Sequence, residues 1–152
     1  MKNKLKDLGG YLLVLGLAIF LSTQVFFSYQ VNGSSMYPTL QENERGIALR
    51  TNFFKQIKRF DIVVINYDGR YLVKRIIGLP GETIKYRNNK LYVNNNLVLE
   101  DFLDDTYTGD IEETLGADEY FCLGDNRQSS ADSRVYGAFM KESIKAVMFR
   151  WK

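Results

Sequence analysis

The feature that most constrains the fold is an uncharged stretch of 22 residues near the N-terminus, at positions 8–29. A helix needs about 20 apolar residues to cross the hydrocarbon core of a bilayer, so this stretch predicts a membrane-spanning helix. Three lysines precede it within residues 2–7, and positive charge is enriched on the cytoplasmic side of such helices. The sequence therefore predicts three parts, which are a basic cytoplasmic N-terminus at 1–7, an anchor at 8–29 and an outward-facing body at 30–152.

The same stretch has a second interpretation, which is a secretory signal peptide that is removed from the mature protein. Its apolar core at 11–21 has the right length for a signal peptide. No Ala-x-Ala-like cleavage site follows that core, however, and apolar residues resume at Val25. Tyr11 and Tyr29 lie near the two ends of the stretch, as interfacial aromatic residues do. We therefore favour a retained anchor.

The residues after the anchor show the patterns of short strands and tight turns. Asn88-Asn89 separates two strand-like runs, which is typical of a two-residue hairpin loop. Pro80-Gly81 has the order of a type II turn, and three asparagines at 94–96 mark another turn. No segment beyond residue 30 has a helical period over three turns, so the body is predicted to be mostly β. The predicted strands are 62–66, 71–77, 83–87, 90–93, 97–99, 120–123 and 144–151.

One segment of the body is strongly acidic, because residues 100–119 contain nine Asp or Glu and no Lys or Arg. The segment has few apolar residues and lacks the spacing of an EF-hand. We predict a solvated acidic loop rather than a calcium site. The remainder of the chain is basic, which suits an anionic surface such as a membrane or a nucleic acid. Charge alone does not choose between these two partners.

The chain contains no histidine, and its single cysteine is Cys122. Ser-His-Asp and Cys-His catalytic arrangements are therefore excluded, as are His-ligated metal sites of the HExxH type. The lone cysteine forms no intrachain disulfide. Proton-transfer chemistry in this chain depends on a carboxylate, a lysine, a tyrosine or water.

The first cluster with chemical potential is a loop at 32–40, a few residues beyond the anchor. It contains Gly33, Ser34, Ser35 and Pro38, and such residues define a tight loop. A loop of this kind can present a serine hydroxyl among backbone N–H groups. The alternative is an ordinary turn that leaves the membrane.

The second cluster is the pair Lys74-Arg75 inside an apolar strand. Alternation along the strand gives each of these charges apolar neighbours, so both are candidates for burial. Burial lowers the pKa of a lysine, and a lysine that is neutral near physiological pH is a usable general base. Arginine stays charged, so Arg75 is predicted to be a structural ion-pair partner. The alternative is an edge strand whose lysine extends to water.

The third cluster is a polar loop at 124–134, which contains two aspartates, two arginines and three serines. Loops fixed by such side chains often carry function. The alternative is a solvated loop whose surface ion pairs contribute little. The three clusters together supply what a serine nucleophile needs when no histidine is present, because lysine can replace histidine as its base.

Taken in order, these residues resemble bacterial type I signal peptidase of the compact Gram-positive kind. Residues 33–40 are similar to the serine box of that family, and residues 71–82 to its lysine box. Residues 59–64 resemble its intervening strand box, and residues 124–134 resemble its C-terminal box. The resemblance covers essentially the whole chain, and four motifs in the right order are highly specific. It implies a coiled, mostly antiparallel β-sheet domain with one N-terminal transmembrane helix.

The resemblance also implies an endopeptidase of the cell membrane that removes signal peptides from exported preproteins. It implies that Ser35 is the nucleophile, that Lys74 is the general base, and that Ser130 orients Lys74 through a hydrogen bond. It further implies a monomer with the lipid bilayer and signal-peptide-bearing preproteins as partners, and no cofactor, metal or nucleic acid. The implied supporting residues are Asp125, Asp132, Arg134 and Arg75 as an ion-pair scaffold, Gly33 and the Ser35 N–H beside the oxyanion, and Met36, Leu72 and Tyr71 as substrate-pocket candidates.

The chain departs from the family pattern at three positions. Phe60 stands where the strand box usually has glycine, and Leu72 stands where tyrosine is common, with Tyr71 one place earlier. Gly33 replaces a serine that donates to the oxyanion in some relatives, so this side-chain donor is absent. Changes at these positions are expected to alter the substrate pockets.

Two other functions compete with an active peptidase. One is a membrane-anchored assembly factor that binds extended peptides without cleaving them, and the presence of both Ser35 and Lys74 argues against it. The other is a self-cleaving repressor with a Ser-Lys pair. Such repressors are soluble and carry a DNA-binding domain, so the anchor argues against that class.

Overall fold

The computed structural model describes residues 2–51, 56–103 and 107–148, with side chains described from residue 8 onward. A long helix, α1, covers Lys2–Val25. Its segment Leu8–Val25 has a mean hydropathy of 1.8, and none of it is buried against the rest of the chain. The helix is therefore long and apolar enough to cross a membrane.

The helix ends four residues before the end of the anchor that the sequence predicts. α1 ends at Val25, and the strand β1 follows directly at Phe26–Gln30. Two aromatic residues open this strand, and such residues favour the extended conformation when a partner strand is available. The partner is β2, at Arg45–Arg50, and Phe27 lies opposite Ala48 in the antiparallel register.

The remaining elements are short strands joined by turns. The longer strands are β3 at Ile62–Tyr67, β4 at Arg70–Gly78, β5 at Thr83–Arg87, β9 at Glu119–Leu123 and β11 at Ile144–Met148. The shorter ones are β6 at Lys90–Val93, β7 at Asn96–Val98, β8 at Ile111–Thr114 and β10 at Phe139–Met140. A one-turn helix, α2, covers Ser133–Tyr136, and single 3-10 turns cover Arg127–Ser129 and Lys141–Ser143.

The strands form two antiparallel sheets. Seven strands form the large sheet in the order β1-β2-β11-β3-β4-β9-β10, and four form the small sheet in the order β7-β6-β5-β8. β4 lies inside the large sheet between β3 and β9, and its last residues are fully buried, including Ile76 and Ile77. An apolar cluster around Ile84, Tyr86 and Leu91 joins the small sheet to the end of β4 and β9.

The mostly β fold with one apolar N-terminal helix, which the sequence predicts, is confirmed. Six of the seven predicted strands are present with bounds within about one residue. The predicted hairpin is present too, because β5 and β6 pair on either side of Asn88-Asn89. Asn88 and Asn89 both have positive φ, at 49° and 60°. The seventh predicted strand, 144–151, is present up to Met148, and its last three residues lie outside the described part of the chain.

The prediction that the whole acidic segment is a solvated loop is wrong for residues 111–114. These residues form β8, which pairs with β5 and places Glu112 opposite Lys85. The side chains of Glu112 and Lys85 form an ion pair of 3.0 Å. Leu115, directly after β8, is buried in the apolar core. Cross-strand pairing with a basic strand therefore gives this acidic stretch an ordered conformation.

Candidate active site

The fold brings Lys74 into contact with Ser35. Lys74 lies on β4, is only 3% exposed, and its Nζ donates a hydrogen bond of 2.8 Å to Ser35 Oγ. Because β4 lies inside the large sheet, the alternative of an edge strand with a solvated lysine is wrong. Burial of both Lys74 and Arg75, which the sequence predicts, is confirmed, since Arg75 is also 3% exposed.

The surroundings of Lys74 favour its neutral amine. Burial lowers the pKa of Lys74 below its ordinary value of 10.5, because the ammonium loses hydration inside the sheet. Asp132 and Asp125 act in the opposite direction, and the positive charge of Arg134 adds to the lowering. Desolvation is the largest of these effects, so the net pKa of Lys74 is lowered. An amine in this state can accept a proton from the hydroxyl that it contacts.

The loop that carries Ser35 is fixed by buried side chains and by backbone hydrogen bonds. Met36 and Leu40 are buried, and Leu40 N–H donates to the Met36 carbonyl over 2.9 Å. Gly33 has a φ of +90°, which a residue with a side chain rarely adopts. Asn126 holds the loop from the other side, because its backbone N–H donates to the Ser35 carbonyl over 3.0 Å. Its side-chain Nδ2 also donates to the Ser34 carbonyl over 3.2 Å.

Two buried ion pairs lie behind the contact between Lys74 and Ser35. Arg75 binds both carboxylate oxygens of Asp125, with Nε at 2.8 Å from Oδ1. Arg134 binds both carboxylate oxygens of Asp132, at 2.8 Å each. Burial raises the pKa of Asp132, but hydrogen bonds from Arg134 and from the Gly124 N–H outweigh this effect and hold the pKa below its usual value. The four residues of the predicted scaffold therefore form two separate bidentate pairs.

Ser130 does not form the hydrogen bond to Lys74 that the resemblance implies. Its Oγ is buried and lies near the carboxylate of Asp132, whose pKa it helps to lower, and it makes no hydrogen bond to Lys74 within the described ranges 2–51, 56–103 and 107–148. The hydroxyl lies against Gly124, where an added Cβ would overlap both Ser130 Oγ and the Ser35 carbonyl oxygen. Gly124 therefore permits the close approach of Ser130 to the loop of Ser35.

A cleft of about 600 Å³ opens beside the two candidate catalytic residues. Ser35, Lys74 and the three predicted pocket residues Met36, Leu72 and Tyr71 all line it. Met36 is 1% exposed, whereas Tyr71 is 57% exposed at the surface. The pocket residues that the sequence suggests are therefore together in one cleft, next to the hydroxyl and the amine.

The family resemblance implies a substrate bound beside the chain that leads to Ser35, but sequence reasoning missed that this wall of the cleft is a strand, β1, which begins inside the predicted anchor. Residues 27–31 line the cleft, and the ring of Phe27 contacts the ring of Tyr71 edge to face, with centroids 5.3 Å apart. In the structure, exposed and half-buried residues alternate along β1, as is typical of a strand. In the sequence, β1 continues an uncharged run, and such a run indicates a helix more strongly. Leu72 also lies in the cleft, so this departure from the family pattern falls on its lining.

The other departure, Phe60, has a φ of +69°, in the left-handed region that glycine adopts most readily. Its ring packs edge to face on Phe102, with centroids 4.9 Å apart. The Phe60 carbonyl accepts a hydrogen bond of 3.0 Å from Arg75 Nη1. The aromatic residue therefore occupies a strained position beside the ion pair of Arg75 and Asp125.

The fold places a buried lysine in contact with a serine hydroxyl, which is the arrangement of the Ser-Lys class of peptidases. The chain belongs to the signal peptidase family, peptidase S26, whose model matches residues 6–151. Signal peptidase I V of Bacillus subtilis (strain 168) is 41% identical, and the match covers 97% of this chain and 98% of that protein. Signal peptidase I S of the same strain is 39% identical over 84% of this chain and 77% of its own length.

A solved structure gives the same result for the fold. The crystal structure of a signal peptidase I from Enterococcus faecalis V583 has 35% sequence identity and a TM-score of 0.60. The match covers 63% of this chain and 99% of that chain.

Proposed function

We propose that this chain is a membrane-anchored signal peptidase I that removes signal peptides from exported preproteins through a Ser35–Lys74 dyad. The observation that carries the proposal is the hydrogen bond of 2.8 Å between Lys74 Nζ and Ser35 Oγ, with Lys74 only 3% exposed. Burial lowers the pKa of the amine, and this supports Lys74 as the base. The family and the similarity to the Bacillus enzymes support the substrate class.

In the proposed first step, neutral Lys74 takes the hydroxyl proton of Ser35 as Oγ attacks the scissile carbonyl. The bond between Oγ and the carbonyl carbon forms, and the carbonyl oxygen becomes an oxyanion. Collapse of this intermediate breaks the peptide bond, the Lys74 ammonium gives its proton to the leaving amine, and the mature protein departs. Lys74 then takes a proton from a water, which attacks the acyl-enzyme ester. The Lys74 ammonium returns this proton to Ser35 Oγ as the ester bond breaks, and the signal peptide leaves with a new C-terminal carboxyl group.

The backbone N–H of Ser35 is the proposed donor to the oxyanion. The bonds from Asn126 to the carbonyls of Ser34 and Ser35 support this role, because they fix the orientation of the peptide groups next to the nucleophile. Gly33 supplies no side chain for a second donor. Fixed donors stabilise the transition state because they need no reorganisation when charge develops.

The other proposed roles follow from contacts. The pairs Arg75–Asp125 and Arg134–Asp132 form the scaffold behind the dyad, and Ser130, whose buried Oγ lies against Gly124, is the proposed orienting hydroxyl for Lys74. Both dyad side chains come from one chain, so a monomer carries a complete site.

The substrate is proposed to bind as an extended strand in the cleft between β1 and β4, with Met36, Leu72 and Tyr71 forming its pockets. Small residues at positions −1 and −3 of the signal peptide suit shallow apolar pockets of this kind. The helix α1 is the proposed anchor in the cell membrane, with the lysines of residues 2–7 on the cytoplasmic side and the sheets outside.

The test is cleavage of a preprotein by the full chain in lipid vesicles, followed by sequencing of the new N-terminus. Ser35→Ala and Lys74→Ala are each expected to lower kcat/KM by at least about 10³-fold, the scale of losing a catalytic dyad member. Ser143→Ala, at a half-buried position that does not line the cleft, and Lys90→Ala, at an exposed position, are matched controls and are expected to cleave at the wild-type rate. Full cleavage by either dyad variant contradicts the proposal, and preprotein binding without cleavage by the wild type indicates the assembly-factor function instead.

A further inference from the structure

A short turn in the acidic segment contacts two buried arginines of the candidate active site. This turn, residues 100–103, is closed by a hydrogen bond of 3.0 Å from Leu103 N–H to the Glu100 carbonyl. The side chain of Glu100 contacts Arg127, and the ring of Phe102 contacts Arg75. The family motifs do not include the 100–103 turn, and the sequence assigns no role to it.

The contact of Glu100 with Arg127 is buried. Glu100 Oε1 accepts a hydrogen bond of 2.6 Å from Arg127 Nη2, and the two side chains are 10% and 0% exposed. Arg127 also donates to Tyr86 Oη over 3.1 Å and to Thr108 Oγ1 over 2.7 Å. Its Nε donates to the Gly124 carbonyl over 3.1 Å. Glu100 is therefore the carboxylate partner of a guanidinium that holds the start of the 124–134 loop.

The contact of Phe102 with Arg75 is a stacking contact. The guanidinium carbon of Arg75 lies 3.9 Å from the centroid of the Phe102 ring. The Phe102 ring also contacts the ring of Phe60 edge to face, and the Phe60 carbonyl accepts a hydrogen bond from Arg75. A cation is attracted to an aromatic face, and most strongly when it is desolvated, so Phe102 restrains the orientation of the Arg75 guanidinium.

Both arginines connect to Ser35 through neighbouring residues of one loop. Arg75 binds Asp125, and Arg127 N–H donates to the Asp125 carbonyl over 2.9 Å. Between them, Asn126 holds the carbonyls of Ser34 and Ser35. A displacement of either guanidinium therefore moves the residue that fixes the nucleophile loop.

We propose that Glu100 and Phe102 are positioning residues, which hold Ser35 against Lys74 through the buried guanidinium groups of Arg127 and Arg75. The proposal rests on the proposed function of the dyad. The cleft is lined by β1, β4 and the loop of Ser35, and it includes neither Glu100 nor Phe102. Their loss therefore acts on the reacting geometry rather than on the binding of the substrate.

Two kinetic effects follow. A shift of reacting atoms by about 1 Å can cost about 100-fold in rate, so loosening the loop lowers kcat while KM stays nearly constant. A looser loop also admits water to Lys74, which raises the pKa of its amine toward the ordinary value. The acid limb of the pH–rate profile then moves to higher pH. Partial unfolding alone lowers the amplitude of the profile without moving this limb.

The experiment compares Glu100→Gln and Phe102→Leu with two control variants from the same acidic segment. The controls are Glu113→Gln on β8 and Tyr107→Leu, since both side chains are exposed. Each full chain is reconstituted in lipid vesicles, and kcat, KM and the pH–rate profile are measured with one preprotein. Phe102→Leu keeps the ion pairs Arg75–Asp125 and Arg127–Glu100. This variant alone therefore tests the proposal if Glu100→Gln does not accumulate as a folded protein.

The expected result is a fall in kcat of about tenfold or more, a KM within about twofold, and an acid limb about half a pH unit higher for both variants. The controls are expected to match the wild type. A fall in amplitude with an unmoved limb overturns the proposal, as does an unchanged kcat or a change confined to KM. Ser35→Ala is measured in parallel to separate the two proposals. If Ser35→Ala still cleaves the preprotein, the proposed dyad is wrong. If Ser35→Ala is inactive but the Glu100 and Phe102 variants match the wild type, only the positioning role is wrong.

Discussion

Replacing Lys74 with methionine is expected to change how the stability of the folded chain depends on pH, independently of any catalysis. Lys74 is 3% exposed, and burial lowers the pKa of its amine from the ordinary value of 10.5. Between the lowered pKa and 10.5, the unfolded chain binds a proton at Lys74 that the folded chain does not bind. The free energy of unfolding of the wild type therefore rises with pH across this window, and Lys74→Met lacks this rise.

The size of the effect follows from the one proton involved. A difference of one bound proton contributes 2.303RT, or about 1.4 kcal/mol, to the free energy of unfolding for each pH unit. The free energy of unfolding of Lys74→Met minus that of the wild type is called the advantage of the variant. Inside the window this advantage is expected to fall by about 1.4 kcal/mol per pH unit, because the wild type gains stability and the variant does not. Below the lowered pKa both states of the wild type hold the proton, so the advantage is constant there.

The assay is urea unfolding of the full chain in detergent micelles, followed by circular dichroism at steps from about pH 7 to about pH 10, below the ordinary lysine pKa of 10.5. Lys90→Met is the matched control, because Lys90 is an exposed lysine on β6. Parallel pH dependences of the wild type and Lys74→Met would contradict the prediction. An advantage of Lys74→Met that grows with pH would refute it as well, since this requires a raised pKa.

Three other predictions concern one buried ion pair, one exposed ion pair and the proposed base. Asp125→Ala leaves the Arg75 guanidinium buried without its carboxylate, and we expect the free energy of unfolding to fall by about 3–5 kcal/mol in urea titrations. Glu112→Ala removes an ion pair whose carboxylate is 57% exposed, so its expected loss is below about 1 kcal/mol, and equal losses for the two variants would contradict this account. The kcat/KM for preprotein cleavage is expected to rise with pH as the Lys74 amine loses its proton, and burial lowers the pKa of this amine below its ordinary value of 10.5. A rate that falls steadily as pH rises from neutral would be incompatible with a lysine base.

The parts of the fold that sequence reasoning predicts well are those set by local signals. Strand bounds around Asn88-Asn89 follow from the turn, because asparagine tolerates the positive φ that the hairpin requires. The strands β1, β2, β8 and β10 are missed because their conformation depends on partners distant in sequence. Residues 45–50, for example, contain alanine, leucine and arginine, and form a strand only because β1 and β11 flank them.

The candidate site shows the same division. Burial of Lys74 and Arg75 follows from their apolar neighbours along one strand. The contact of Lys74 with Ser35 joins residues 39 positions apart, and only the family resemblance brings them together before the structure is known. The partners of Arg127 and the stacking of Phe102 on Arg75 have no signal in the sequence, because the acidic segment that supplies them is typical of solvated loops.

The direct passage from α1 into β1 has a consequence for the geometry of cleavage. No linker separates Val25 from Phe26, and Arg50 strengthens the junction, since its Nε donates to the Thr23 carbonyl and its guanidinium lies over the Phe27 ring. With a rise of about 3.3 Å per residue, the five residues of β1 extend the cleft wall at most about 17 Å beyond the helix. With α1 in a bilayer, this junction sets the distance between the membrane and the cleft. The height of the cleft above the membrane is fixed by the chain itself, and a substrate has to present its scissile bond within that short reach of its own apolar helix.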